Sequence, residues 1–154
     1  MLSIDGHDLT QSLAIIDYLD ARYPNPPLVS PEPAIRSKTL AQALLIAADI
    51  HPLNNLRVLG RLKSQFGADD AAVADWYRHW ILEGFTALEA MAPEDGLFGS
   101  DLPNLADICL VPQMANARRF DTPMEAFPKL VRIDAALRAI EAFAKAAPEA
   151  VKPE

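Results

Sequence analysis

The hydrophobic pattern of this chain is helical almost throughout, with one short exception at the front. Leu2-Ser3-Ile4-Asp5 alternates apolar and polar positions, and Asp5-Gly6 supplies a tight-turn signal, so one short strand is expected there. A lone strand is marginal, because its backbone donors and acceptors need a ladder. Leu13, Ala14, Ile16 and Leu19 then recur at helical spacing, predicting a helix from about Gln11 to Tyr23 capped by Thr10 or Asp8. Pro24, Pro26 and Pro27 end it, and a proline-punctuated linker runs on to Pro33. We place a boundary here, giving a small front unit, residues 1–27, and a helical unit, residues 28–154.

The second unit reads as four or five helices. Leu40, Ala43, Leu44, Ala47 and Ile50 predict a helix from Ala34 to about Lys63, bent at the interior Pro52. Ser64 to Asp70 breaks the pattern, with Gly67 at the turn. Val73, Trp76, Tyr77, Trp80, Ile81 and Leu88 then mark a long helix. Gly84 within it costs helix stability, so a close approach by another helix is expected. After a loop from Pro93 to Pro103, one helix starts at Asn104. Another covers roughly Lys129 to Phe143, with Leu130, Ile133, Leu137 and Ile140 on one face. Past about Lys145 the Ala/Pro/Lys-rich end reads as a frayed tail. The fold expected is mainly α, a helical bundle preceded by a strand and a helix.

Composition narrows the function. Of 154 residues, 51% are hydrophobic and 23% charged, which suits a globular domain. No apolar stretch reaches the length of a membrane span, and no secretory signal is visible. A formal charge of −7 argues against nucleic acid but leaves room for a small anion held by a local Arg. Cys109 is the only cysteine, so no internal disulfide or cysteine zinc site is available. His7, His51 and His79 show no metal-ligand spacing, so no metal is expected, and a reducing cytoplasm fits.

Asn104-Leu105-Ala106-Asp107 is the sharpest local signal. Asn104 is placed to accept the N–H at the third helical position, while Asp107 reaches back to the Asn104 N–H. This is a capping box contributing about 1 kcal/mol at a surface and more when buried. The helix it opens is apolar nearly all round, through Ile108, Cys109, Leu110, Val111 and Met114, as a helix at the centre of a bundle would be. Asp107 therefore reads as structural, and Cys109 as a small buried hydrophobe.

Three stretches resemble one family. Asp5-Gly6 followed by Leu9 to Leu19 is similar to the end of the thioredoxin-like domain of glutathione transferases. Phe98-Gly99 through Asn104-Leu105-Ala106-Asp107 resembles that family's helical-domain signature, with Asn104 where Ser or Thr is usual. Asp107-Ile108-Cys109-Leu110-Val111-Pro112-Gln113, Asn116 to Phe120, and Ile50-His51-Pro52-Leu53-Asn54-Asn55-Leu56 narrow the likeness to the zeta class. The resemblance covers nearly the whole chain. It implies that residues 1–27 are a remnant of the thioredoxin-like α/β domain, with the earlier strands and a Ser-Ser-Cys-type thiol-activating motif missing. The chain is accordingly expected to be N-terminally shortened, impaired in activity, and without a catalytic residue of its own. Its front segment, deprived of sheet partners, should be mobile or pack on the bundle or on another copy.

The resemblance also implies the chemistry: glutathione as cofactor, and cis–trans isomerisation of maleylacetoacetate or maleylpyruvate. The glutathione thiolate adds to the cis double bond, the carbon–carbon bond rotates, and the thiol leaves. Gln11 and Ser12, at a helix start where free N–H groups and the dipole favour an anion, would hold the γ-glutamyl carboxylate. Read without the resemblance, Ser12 is better explained as part of an N-cap. His51, Asn55 and Arg57 would border the glutathione site, though a solvated face also explains Arg57. Arg119 would offer its guanidinium to a carboxylate of the small dicarboxylate substrate; a pair with Arg118 complementing the helix dipole is the alternative. A homodimer is implied too. The rival reading is a non-catalytic helical module for dimerisation or ligand binding.

Overall fold

The computed structural model describes residues 1–151 and joins a β-hairpin to a helical bundle. Strand β1 (Leu2–Ile4) pairs antiparallel with β2 (His7–Leu9), in the register Leu2–Leu9, Ser3–Asp8 and Ile4–His7. Asp5 and Gly6 both take positive φ, 49° and 77°, as a primed two-residue hairpin turn requires. The expected lone strand thus has a partner. His7-Asp8-Leu9 was hidden because two of its three residues are polar and exposed. Asp8 consequently lies in a strand, accepting from the Ser3 hydroxyl, and does not cap the following helix.

Helix α1 (Ser12–Arg22) begins without any side-chain cap. Its apolar stripe is covered in part: Leu13 and Ile16 pack against Val29, Ala43 and Leu105 of the bundle, although no residue of α1 is fully buried. The proline linker is fastened on both sides. The Asp20 carboxylate accepts from the Leu28 and Val29 amides, and the Leu105 amide donates to the Leu28 carbonyl. Of the outcomes expected for the front segment, packing on the bundle is the one observed.

The predicted helix over 34–63 is broken in two. Helix α2 (Pro33–Leu44) widens into a π-helical segment over Leu45–Ile50, runs through the single turn α3 (His51–Leu53), and stops. Pro52 brings no N–H to the helical ladder. Asn54 is then pulled aside, its side-chain amide donating to the Tyr77 carbonyl, while the Trp76 indole N–H donates to the Leu53 carbonyl. Asn55 starts α4 (Leu56–Phe66) afresh by accepting from the Arg57 amide at 3.1 Å. Pro52 therefore marks a break and not a bend.

Helix α5 (Asp70–Met91) and α6 (Leu105–Arg119) carry the core. Tyr77, Ile81, Phe85 and Leu88 meet Leu110, Met114 and Ala117, and α7 (Pro128–Arg138) adds Leu130, Ile133 and Leu137. The expectation for Gly84 holds: a Cβ there would collide with the Ile50 side chain. The helix expected over 129–143 divides, because Ile140 turns extended between α7 and α8 (Glu141–Lys145). Past Lys145 the chain forms only turns and bends as far as Val151, and the rest of the predicted tail, 152–154, lies outside the described residues.

Asp107 fixes where α6 begins. Its side chain is fully buried and accepts three backbone N–H groups, from Phe98 at 3.0 Å, Gly99 at 2.9 Å and Asn104 at 2.9 Å. Asn104 returns the favour by accepting from Ala106 and Asp107, closing the capping box. Removing the carboxylate leaves three donors without acceptors, that of Asn104 buried and those of Phe98 and Gly99 part-buried. Asp107→Ala is expected to lower unfolding free energy by about 3 kcal/mol or more, read by urea denaturation. Asp107→Asn should be nearly as damaging, because its NH2 would face donors. A loss below about 1 kcal/mol would show that the loop finds other partners.

Candidate functional site

One face of α6 opens on a cleft of about 1120 Å³. Ile108, Val111 and Ala115 form an apolar wall, Arg119 and Arg138 stand at the ends of α6 and α7, and Phe143 closes the side from α8. Pro112 also lines the cleft, and as a helix-interior proline it leaves the Ile108 carbonyl without its helical donor. An apolar cleft with a few convergent polar groups is the general form of a small-molecule site.

The two adjacent arginines behave differently. Arg118 donates to the buried Asp134 carboxylate at 2.7 Å and is thereby committed to the α6–α7 contact. Arg119 has no carboxylate partner among the described residues; its guanidinium lies 5.8 Å from the centroid of the Phe120 ring. Phe120 itself stacks on Tyr77 with centroids 3.6 Å apart. Burial pushes the Tyr77 hydroxyl up from its ordinary value, and the Arg119 charge pulls the other way. Arg119 thus presents to the cleft a cation without a carboxylate partner among the described residues, and both arginines lie in the last turn of α6, at the negative end of its dipole.

The other expected residues lie elsewhere. Gln11 and Ser12 are exposed at the start of α1, where Gln11 adopts φ 66° and ψ 121°, a strained conformation for a residue with a side chain. With no side chain capping α1, its first-turn N–H groups remain open to an external acceptor. His51, Asn55 and Arg57 gather around the break between α3 and α4, where His51 and Arg57 are exposed and Asn55 is half-buried as the cap. None of these five lines the large cleft. Arg138 does, and nothing in the sequence reading singled it out. Its place depends on how the chain turns after α7, for which the sequence offers no local signal.

The buried surroundings of Cys109 raise its thiol to about 11, so the thiolate is scarce near neutral pH. It is expected to react with a disulfide reagent at pH 7 more than tenfold more slowly than after denaturation. Equal rates folded and unfolded would contradict this environment.

The hairpin, the helix after it and the bundle ordered around a capped α6 have the form of a glutathione transferase, and the comparisons with known proteins agree. No protein-family model matches the chain. A probable maleylacetoacetate isomerase of Vibrio cholerae is 51% identical over 150 residues, covering 95% of this chain and 69% of that protein. The holo structure of a maleylpyruvate isomerase, described as a bacterial zeta-class glutathione S-transferase, superimposes with a TM-score of 0.90 at 42% identity, covering 95% of this chain and 70% of the other. The maleylacetoacetate isomerase of Anaeromyxobacter dehalogenans, solved with glutathione in its active site, gives 0.89 at 35% identity, covering 98% and 70%. The chain belongs to the zeta-class glutathione transferases, the family of the maleylacetoacetate and maleylpyruvate isomerases.

Proposed function

We propose that this protein is a glutathione-dependent cis–trans isomerase acting on maleylacetoacetate or maleylpyruvate. The observation that carries the reading is the unpaired Arg119 at the mouth of an apolar cleft, in a chain of this family. A guanidinium there binds a carboxylate through two parallel hydrogen bonds and so orients the rest of the substrate. The wall of Ile108, Val111 and Ala115 accommodates the hydrocarbon and excludes water. Arg118 spends part of its charge on the buried Asp134 carboxylate, which leaves Arg119 the stronger carboxylate receptor of the two.

Glutathione fits the start of α1. The positive φ of Gln11 and the absence of a side-chain cap leave N–H donors, a helix terminus and the exposed Ser12 hydroxyl for its γ-glutamyl carboxylate. When bound, glutathione supplies a nucleophilic thiolate that adds to the cis double bond and later departs. Gln11 and Ser12 hold the peptide, and His51, Asn55 and Arg57 border it. Asn55 spends its carbonyl oxygen on the α4 cap and keeps its NH2 as a donor. No residue of this chain is assigned to thiol activation. A homodimer is part of the proposal, supported by the exposed Ile35 and Leu44 on α2. So is a reducing cytoplasm, which suits the free Cys109.

Titration with glutathione, followed by backbone NMR, should shift the Ser12, Leu13 and Ile15 amides saturably. Ser12→Ala should weaken binding about tenfold. Glutathione-dependent conversion of maleylpyruvate to its trans isomer measures the activity. Shifts confined to other helices would sink the assignment of the α1 terminus, and binding without turnover would favour a ligand-holding helical module.

A further inference from the structure

The large cleft holds a second guanidinium whose charge is not balanced. Arg138, the last residue of α7, lines it together with the α6 wall and makes no ion pair or side-chain hydrogen bond among the described residues. It does not satisfy the carbonyls at its own helix end, so a dipole-capping role leaves its donors unused. Of the three arginines lining the cleft, Arg118 is neutralised by Asp134, whereas Arg119 and Arg138 are both uncompensated. Glu149, in the C-terminal segment, is the one carboxylate among the lining residues, and it is exposed and makes no ion pair among the described residues.

Arg119 and Arg138 are both exposed beside one apolar wall in a protein of net charge −7, and two cations so placed suit an anion that carries two charges. We infer that Arg138 receives the second carboxylate of the substrate, so that a dicarboxylate spans from Arg119 to Arg138 along the wall of Ile108, Val111 and Ala115. This rests on the isomerase reading and adds to it the residue that distinguishes diacids from monoacids. Arg138 comes from α7, a different helix from Arg119, so the span between the two selects the length of the diacid. The packing of α7 against α6, held by the Arg118–Asp134 pair, sets that span.

The test uses the chain as it stands, with succinate and adipate as diacid probes and butyrate as the monoacid, titrated by calorimetry. Arg138→Gln should weaken the better diacid about tenfold or more and change butyrate by less than about twofold. Arg138→Lys should recover part of the loss, since the charge returns without the planar fork. Arg119→Gln should weaken all three. Circular dichroism and thermal midpoints matching the unsubstituted chain exclude misfolding as the cause. Unchanged diacid affinity in Arg138→Gln, beside a loss in Arg119→Gln, overturns the role of Arg138 alone. Unchanged affinity in both variants, or no saturable diacid binding by the unsubstituted chain, overturns the substrate-site reading as well.

Discussion

A single carboxylate, completely withdrawn from water, organises the centre of this molecule. Burial pushes the Asp107 carboxyl up, and the three amides of Phe98, Gly99 and Asn104 that donate to it work in the opposite direction. Those donors come from a loop and a helix start that have no other acceptors, so each side needs the other. The bond set fixes the first residue of α6 and, with it, the rotation of that helix. Rotation decides which residues point into the core, such as Leu110, Met114 and Ala117, and which face the cleft, such as Ile108, Val111 and Ala115. Arg119 lies fourteen positions beyond Leu105 at the far end of the same rod, so the cap at one end sets the position of the cation at the other.

The cleft then follows from how charges are paired. Successive residues on a helix diverge by roughly 100°, so neighbouring arginines reach different surroundings. Arg118 meets the buried Asp134 of α7 and joins the two helices, while Arg119 stays free above Phe120. Separating the two lets one arginine join the helices while the other stays without a carboxylate partner among the described residues. The stacked Tyr77–Phe120 pair stiffens the segment beneath Arg119, which favours a fixed guanidinium over a mobile one.

On the opposite side, α2 could not continue as one helix past Pro52. The π-helical segment over Leu45–Ile50 places Ile50 into the notch left by Gly84 on α5, and the Asn54 and Trp76 hydrogen bonds hold the broken chain there. Wide helical turns of this type recur beside functional sites. Here the segment leads directly to His51, Asn55 and Arg57.

Features governed by neighbours in the chain were legible from the residues. The Asn104–Asp107 box needs only a three-residue spacing, the Asp5-Gly6 turn only two residues tolerant of positive φ, and α1, α5 and α7 only their apolar periodicity. The motifs around Asp107 and His51 also carried the family. What the chain alone left undecided involves partners distant in sequence. Strand β2 is a strand because β1 supplies its ladder, although His7 and Asp8 are polar. The break at Asn54 depends on the Tyr77 carbonyl, separated from it by 23 positions, and Pro52 alone suggested only a bend. Arg118 and Arg119 look alike until Asp134 takes one of them, and Arg138 acquires meaning only when α7 ends against the α6 face. Local backbone preferences act over a few residues and can be read in order, whereas charge compensation and burial are settled in space, after the helices have packed.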